Sequence, residues 1–481
     1  MLTKRKILLS CAVMVMISMT AQDNFSKSFA DFKKGLFDNY NGFRSQVLEN
    51  YDGFLEGVWV EYQGMQPEKS SSKPKPRRVP VSPDGNATEV IQDSVQKARD
   101  FIAENSSMVP LQDFQEADST VIIDFFGIPL EIERPGVAIA RKLSGTTDYA
   151  LQWRELEKTD ADKAINDRLR SKADEMGLND YLCFQLVKKY VDQSFKDIDI
   201  TSRISMTHYL LANMGFDVRI GLSARNNPVL LVPFKQTVYG RPFMMIDNYR
   251  YYIFADNEVD LTNPDNLRIS TCQLPRTQSM DNFLELKLDG LNLAYKPYKF
   301  DINHGNLSIH GEINGNIFPI LYNYPQMPTA DYALSVVSQE TRDSVVSQFK
   351  NQLLNIDGIE AINSLLYFTQ QFDYAIDEDY HGFEKPYFFE EMLYYPKNDC
   401  EDRAIFYSYL LWNVLGIENQ LLYYPGHESV GVKLKDQMKG DSYFSGGKRF
   451  FISDPTYIGA PTGEGIPEYL HETPKVDFHY K

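Results

Sequence analysis

The sequence of 481 residues predicts an α+β protein. Apolar residues at steps of three or four indicate helices, most clearly from about Tyr149 to Phe195 and in the stretch that begins at Cys400. Short runs of alternating apolar residues, including those that border His427 and Asp454, indicate antiparallel strands. Self-similarity at an interval of about 200 residues predicts that part of this architecture is duplicated.

Residues 1–21 have the pattern of a signal peptide: a basic start at 4–6, an apolar run over 7–19, then small residues. The run is too short for a comfortable membrane span, so the mature chain is expected to have none. The protein is therefore predicted to be exported, either periplasmic or extracellular. Because the apolar run continues beyond Cys11, a lipoprotein anchor is disfavoured.

Charge and cysteine content narrow the class of protein further. Removal of 1–21 takes away three positive charges and no acids, so the formal net charge moves from −17 to −20, which argues against binding nucleic acid. Cys183, Cys272 and Cys400 remain. A disulfide between the first two would leave Cys400 reactive, but the sequence leaves the pairing open.

The N-terminal part of the mature chain is predicted as a helix and a linker. Residues 22–65 carry an aromatic stripe at helical spacing, interrupted by glycines such as Gly53 and Gly57, and this stripe is expected to pack on the protein's own body. Residues 66–84 are rich in Pro, Ser, Lys and Arg, which predicts an exposed linker with solvated charges.

Two copies of one domain are predicted downstream. Residues 85–270 would form the first copy, 271–330 a β-rich connecting domain with hairpins, and 331–481 the second copy. The matching pairs are Arg203 and Arg403, Tyr209 and Tyr409, Leu210 and Leu410, Leu211 and Leu411, Asn213 and Asn413, and Gly215 and Gly416. Their common order and near-constant offset favour duplication over chance.

The copies differ at the positions where chemistry would occur. Ile200 stands at the position of Cys400, and Asn227 stands near that of His427. An isoleucine cannot attack a carbonyl, so the first copy is predicted to be catalytically dead and to serve packing or binding.

The second copy carries three residues suited to thiol chemistry. His427 follows Cys400 by 27 residues, and Asp454 follows His427 by 27. A thiol at a helix N-terminus loses its proton more easily, an imidazole within reach can take that proton, and a carboxylate can orient the imidazole. The Cys400 amide is a candidate oxyanion donor. The acids beside the cysteine are expected to cap the helix, with Asp402 the most plausible exception.

Residues 357–457 resemble the transglutaminase-like superfamily of papain-type cysteine enzymes. The resemblance rests on the acidic cysteine motif at 399–402, the helix end at 415–417, Gly426-His427, and the segment 451–456. It implies a papain-like core in which a helix bears the cysteine and an antiparallel sheet bears the histidine and aspartate. By this resemblance Cys400 would be the nucleophile, His427 the general base and acid, and Asp454 the orienting carboxylate.

These features predict an exported thiol-dependent acyl-transfer enzyme. A peptidase or amidase is favoured over a true transglutaminase because water is the commoner acceptor, with a protein, peptide or cell-wall amide as substrate. No cofactor is expected, and no metal, since no Cys or His pair has zinc-ligand spacing. The alternative is a non-catalytic binding or scaffold protein of the cell envelope built on the same lobes. The oligomeric state is left open.

Overall fold

The computed structural model of the protein describes ten stretches of the chain. They are residues 51–70, 75–76, 79–83, 119–134, 142–158, 161–256, 261, 267–272, 282–434 and 438–481. Eleven α-helices and seventeen β-strands lie within these stretches, which confirms the predicted α+β class. The predicted signal peptide and most of the predicted N-terminal helix precede residue 51 and lie outside the described residues.

The elements are numbered in chain order. The helices are α1 (Tyr51–Glu56), α2 (Thr146–Glu157), α3 (Ala161–Glu175), α4 (Asp180–Ser194), α5 (Ile200–Asn213), α6 (Ile317–Tyr322), α7 (Thr329–Leu334), α8 (Gln339–Gln352), α9 (Gly358–Gln370), α10 (Asp377–Tyr380) and α11 (Cys400–Leu415). The strands of the first half are β1 (Trp59–Gln63), β2 (Thr120–Phe125), β3 (Ile128–Glu133), β4 (Arg219–Ser223), β5 (Pro228–Pro233), β6 (Phe243–Ile246), β7 (Tyr249–Phe254) and β8 (Arg268–Cys272). The strands of the second half are β9 (Pro297–His304), β10 (Leu307–Asn314), β11 (Asp373–Tyr374), β12 (Lys397–Asn398), β13 (Asn419–Tyr424), β14 (His427–Lys433), β15 (Ser442–Ser445), β16 (Lys448–Ser453) and β17 (Lys475–Tyr480).

The first large sheet is antiparallel, with six strands in the order β1-β8-β4-β5-β7-β6. Strand β5 shows how it is buried on both faces. Leu230 and Val232 belong to the main hydrophobic core, which also includes residues of α5, whereas Val229 and Leu231 belong to a separate apolar cluster. Successive side chains of a strand point to opposite faces, so β5 separates the two clusters.

The second large sheet is also antiparallel, with five strands in the order β15-β16-β14-β13-β17. Helix α11 packs against β13 and β14, and α8 and α9 pack on α11. Five strands follow helix α5, namely β4–β8, and five follow helix α11, namely β13–β17. Counted from its helix, each set has the same spatial order in its sheet. In each, the fifth strand pairs with the first, and the fourth lies between the second and the third.

The region between the two sheets contains less β-structure than predicted. Its alternating apolar residues form one hairpin, β9–β10, followed by helix α6 rather than by further strands. The hairpin contributes Ile309 and Ile313, and α6 contributes Ile320, to the same hydrophobic core that contains residues of helices α5 and α11. The predicted connecting region therefore shares the core of its neighbours instead of enclosing one of its own.

Within the described part of 22–65, the predicted interruption at Gly57 is present, but the helical assignment is wrong for the residues after it. The helix occupies only Tyr51–Glu56, and Trp59–Gln63 forms strand β1, which pairs antiparallel with β8. Gly57 follows the helix directly and donates its N–H to Phe54 O at 3.0 Å. Four of the five residues after it, in the run Val-Trp-Val-Glu-Tyr, are β-branched or aromatic and favour a strand.

The predicted exposed linker at 66–84 also differs from the structure where it is described. Lys75 is 8% exposed, and Val79 packs with Tyr374 and Ile376. Ile458 donates its N–H to Pro80 O at 3.0 Å. The expectation that the basic charges of this segment are solvated is therefore wrong for Lys75, whose partners are carboxylates far along the chain.

None of the helices in the described stretches is both long enough and apolar enough to cross a membrane.

Candidate active site

Helix α11 places Cys400 at its first residue, as predicted. The preceding strand β12 pairs in parallel with β11, and Asp399 is the N-cap of the helix. The backbone N–H of Asp399 donates to Asp402 Oδ2 at 3.0 Å, which forms half of a capping box. The helix ends at Gly416, whose φ of 67° is the left-handed conformation common at helix C-termini.

A tight hairpin places His427. Tyr424 and His427 are paired across β13 and β14, and only Pro425 and Gly426 connect them. Gly426 has a φ of 85°, which a residue with a side chain rarely adopts. The imidazole stacks on the ring of Tyr469 with a centroid distance of 4.9 Å and an interplanar angle of 13°. The turn and the stacked ring together fix the position of the imidazole.

The carboxylate of Asp454 contacts the imidazole directly. Asp454 follows β16, which pairs with β14, and its Oδ2 lies 2.7 Å from His427 Nε2. Its Oδ1 accepts the backbone N–H of Thr456 at 2.8 Å, and Gln370 Nε2 donates to the Asp454 carbonyl at 3.1 Å. A carboxylate oxygen accepts, so Nε2 carries the proton in the neutral ring and Nδ1 is left as the basic nitrogen.

Cys400 and His427 line the same cavity of about 400 Å³. The Cys400 thiol is 1% exposed and donates to Glu401 Oε2 at 3.2 Å. Within the part of the chain that the structure describes, His427 Nδ1 has no hydrogen-bond partner, the thiol included. Two of the three predicted residues therefore meet at one cavity, and the third, Asp454, contacts the imidazole of His427. The imidazole–carboxylate contact is formed, and the thiol–imidazole contact is not.

The surroundings of Cys400 hold its thiol protonated. Burial raises the pKa of the thiol well above its ordinary value, and the carboxylates of Glu401 and Asp399 raise it further. The Lys75 ammonium and the backbone N–H of Glu428 oppose this increase without cancelling it. The expected ease of deprotonation at a helix N-terminus is therefore overturned in this arrangement, because burial and adjacent negative charge outweigh the helix dipole.

Beside the thiol, the Lys75 ammonium lies among four carboxyl groups. Its Nζ is 2.7 Å from Asp399 Oδ2, 3.0 Å from Glu384 Oε1 and 3.6 Å from Asp377 Oδ2, and it also contacts Glu401 Oε1. Glu401 is therefore bound to the ammonium through one oxygen and to the Cys400 thiol through the other. We call Lys75 and these four residues the acidic chamber.

The pKa is lowered for one carboxyl group of the acidic chamber and raised for the other three. Burial raises the pKa of Glu384 to about 8 and that of Asp377 to about 6, and it raises the pKa of Asp399 well above its ordinary value. For Glu401, burial also acts upward, but the adjacent Lys75 ammonium lowers the pKa to about 2. At neutral pH the negative charge next to the thiol is therefore centred on Glu401.

The same oxygens form the most plausible metal-binding groups among the described residues. Asp377, Glu384 and Glu401 can each offer one ligand atom within 4.8 Å of the others, as can Asp377, Asp399 and Asp402. Such oxygens suit hard cations rather than the zinc considered from the sequence. Lys75 already supplies a cation to this group, and the expectation that no metal is required stays a prediction.

Sequence reasoning missed most of the acidic chamber. Among the acids of the cysteine motif it singled out Asp402, but both carboxylate oxygens of Asp402 accept backbone N–H groups, from Asp399 and from Tyr387. Glu401 contacts the sulfur instead. Lys75 carries no sequence signal at all, because it lies 324 residues from Asp399 in a segment with the composition of a linker.

A second cavity, of about 480 Å³, lies beside the start of helix α5. It is lined by Ile200 and Asn227, which the sequence predicts to stand for Cys400 and His427, and by Asp256, which follows β7 as Asp454 follows β16. Its lining includes neither a cysteine nor a histidine, and the expectation that this region is catalytically dead stays a prediction. Cys183 and Cys272 are both free and buried, so the disulfide that the sequence left open is not formed in the structure.

Comparisons with known proteins leave the chain without a family. No protein-family model, no curated protein and no solved structure matches it. Its function therefore has to be inferred from the chemistry of its own residues.

Proposed function

We propose that this protein is an exported thiol-dependent acyl-transfer enzyme, a peptidase or amidase, in which Cys400 is the nucleophile. The observation that carries the proposal is the state of His427. Its Nε2 is fixed 2.7 Å from the Asp454 carboxylate, while its buried Nδ1 has no hydrogen-bond partner among the described residues and the ring lines the cavity of Cys400. A basic nitrogen held in this way is suited to take a thiol proton.

The reaction starts with a proton transfer. The Cys400 side chain turns from Glu401 towards the imidazole, and its proton passes to His427 Nδ1. The sulfur then attacks the carbonyl carbon of an amide, and the C–N bond breaks as the leaving amine takes the proton from Nδ1. The product of this half-reaction is a thioester on Cys400 and a free amine.

Water completes the cycle. It gives one proton to His427 Nδ1 as its oxygen attacks the thioester, and the C–S bond breaks as the sulfur regains that proton. The acyl group leaves as a carboxylic acid. Asp454 keeps the imidazole in the required tautomer and stabilises its protonated form. The Cys400 amide, at the first position of α11 where it has no partner within the helix, is available as one oxyanion donor.

The architecture supports a transglutaminase-like, duplicated fold as part of this proposal. A long helix bears the cysteine, and an antiparallel sheet bears the histidine with the aspartate directly after a strand. The identical strand order after α5 and after α11 supports a first copy that has lost its nucleophile. The domain boundaries 85–270, 271–330 and 331–481 and the export assigned to residues 1–21 stay predictions.

A thioester on Cys400 is the direct test. The mature protein is incubated with fragments of proteins and of bacterial cell wall, and adducts are located by peptide mass spectrometry. We expect an acyl adduct on Cys400 that hydroxylamine removes, with no adduct on that peptide in Cys400→Ala. Absence of any hydroxylamine-labile adduct on Cys400 with every fragment tested would refute the proposal.

One observation favours a second candidate, a non-catalytic binding protein of the cell envelope. The thiol is buried and bound to a carboxylate rather than to the imidazole. A binding protein would capture a fragment in the same experiment without a covalent bond to sulfur, which intact mass after denaturation distinguishes.

A further inference from the structure

We propose that the acidic chamber is a recognition subsite for a primary ammonium group of the substrate, and that Lys75 occupies this subsite in the resting protein. The inference rests on the proposed function and adds a substrate class to it. The class is an amide that carries a free ammonium near the scissile bond, as a lysyl side chain, a free N-terminus or another diamino acid does.

The carboxyl oxygens that bind the Lys75 ammonium define which ligand the subsite can take. Asp399 and Glu384 hold Nζ at 2.7 and 3.0 Å, and Glu401 contacts it through the oxygen that does not face the thiol. A compact ammonium has three N–H donors, and the subsite presents oxygens for all of them. Only the carboxylate of Glu401 therefore separates a ligand in this position from the sulfur of Cys400.

Glu428 gives a second, independent indication of a ligand. It is 4% exposed, it lines the cavity together with Lys75 and Cys400, and its Oε1 has no hydrogen-bond partner within the described stretches. An unpartnered buried carboxyl oxygen is costly, and a bound donor would satisfy it. The wall of the cavity thus holds one carboxyl oxygen beyond those that contact the Lys75 ammonium.

Lys75 comes from a different part of the chain than the carboxyl groups that bind it. The carboxyl groups that hold it lie between residues 377 and 401, over 300 residues later in the sequence. Its segment is held along the lobe by a few hydrogen bonds, from Tyr374 Oη to Pro76 O at 2.7 Å and from Ser82 Oγ to Glu464 at 2.7 Å. A substrate ammonium that enters the subsite has to displace this side chain.

A binding experiment on the full mature chain with Cys400→Ala tests the inference without any catalysis. The probes are Nα-acetyl-lysine methylamide and its Nε-acetyl derivative, and affinity is measured by calorimetry in the presence and absence of Lys75→Met. We expect the free amine to bind, and to bind roughly tenfold more tightly once the internal competitor is removed. The acetylated probe should bind in neither background, and Glu384→Gln added to Lys75→Met should weaken binding of the amine.

Equal binding of the two probes, or no binding of the amine to the Lys75→Met protein, would overturn the inference. Binding of CaCl₂ but not of the amine would overturn it in favour of a metal site. Both results are independent of acyl transfer, because Cys400→Ala has no nucleophile, so a failure here and a failure of the proposed function are separate findings.

A second measurement applies if Lys75→Met does not fold. In Cys400→Ala with Lys75 present, exchange of the Lys75 Nζ–H protons with water is followed by NMR on protein labelled with ¹⁵N-lysine, because an amine probe would consume an acylating reagent. These protons should exchange slowly in the free protein and several-fold faster with saturating amine probe. Unchanged protection of Lys75 in the presence of the probe would count against displacement and against the subsite.

Discussion

The side chain that most changes the interpretation of the site is Glu401. It binds the Lys75 ammonium with one oxygen and the Cys400 thiol with the other. Its charge raises the pKa of the thiol, so it keeps the nucleophile protonated in the resting arrangement. Attack by sulfur then requires the thiol to leave this carboxylate for the imidazole.

Replacing Glu401 with glutamine should make the thiol more reactive. The amide removes the adjacent negative charge, which lowers the pKa of Cys400, and each unit of decrease raises the thiolate fraction about tenfold. We expect the rate of alkylation by iodoacetamide at pH 7 to increase severalfold. Glu360→Gln, at an exposed position on α9, is the matched control and should react like the wild type. A slower or unchanged rate in Glu401→Gln would contradict the role given to this carboxylate.

At the residue scale the sequence indicates the three converging side chains but not their surroundings. Cys400, His427 and Asp454 each occupy a recognisable local context, a helix start and two strand borders. The partners that set the thiol pKa depend on tertiary contacts. Which first-turn acid faces the sulfur depends on packing, and Lys75 comes from a segment with no periodic pattern at all.

At the scale of elements, the tight β13–β14 hairpin has the most direct effect on the site. Its two-residue connection sets the register in which Tyr424 pairs with His427, and a change in register by one residue would turn the imidazole to the other face of the sheet. Gly426 makes the connection possible through its φ of 85°.

Gly426→Ala should therefore destabilise the protein and disturb the site together. A left-handed backbone costs a residue with a Cβ about 1–2 kcal/mol, which denaturation by urea can measure. We also expect alkylation of Cys400 to lose part of its dependence on His427. The control is Gly53→Ala in α1, where a Cβ meets no atom within 4 Å and where alanine should be neutral or slightly stabilising. Equal stability of the two variants would refute the constraint at Gly426.

Long periodic elements were predictable, whereas short ones with distant partners were not. The strand at 120–125, the helices over 146–194 and the helix from Cys400 to Gly416 agree with their sequence patterns. The spacing of aromatic residues over β1 predicts a helix, because nothing local reveals its pairing partner, β8, which lies about 200 residues away. Pairing at that separation overrides a helical spacing of aromatic residues.

At the scale of the whole molecule, one hydrophobic core joins the parts that the sequence divides. Residues from α2 to β14 belong to the same apolar cluster, and the acidic chamber joins Lys75 to the C-terminal sheet lobe. The repeat at an interval of about 200 residues is visible in the sequence, but the shared core and the intruding lysine follow from tertiary packing.

The acidic chamber should give the protein an unusual dependence of stability on pH. Glu384 and Asp377 have pKa values of about 8 and about 6 in the folded protein, above their ordinary values. These two groups therefore bind more protons in the folded state than in the unfolded state between about pH 5 and 8, and their contribution to stability rises as the pH falls through this window. Buried His208 and His381, whose pKa values burial lowers to about 3, act in the opposite direction below about pH 6.5, and Glu401, whose pKa is lowered to about 2, does so at lower pH.

Thermal midpoints at pH 6, 7 and 8 test this dependence. We expect the midpoint of the wild type to increase as the pH falls from 8 to 6, and the slope to decrease in Glu384→Gln because the amide does not titrate. Glu360→Gln should keep the wild-type slope. An unchanged slope in Glu384→Gln would show that Glu384 is not protonated by the fold.

Alkylation of the native protein at mildly acidic pH tests most directly whether Cys400 and His427 act as one chemical unit. Iodoacetamide is applied near pH 6, where an isolated thiol hardly reacts, and modified cysteines are located by mass spectrometry, with buried Cys183 and Cys272 as internal controls. We expect Cys400 to be modified through the arrangement in which its thiol has left Glu401 for the imidazole, at a rate above that of Cys183 and Cys272. This modification should be lost in His427→Ala and retained in His471→Ala, an exposed position. Slow modification of Cys400 that does not change in His427→Ala would contradict a thiol enzyme and favour a binding protein.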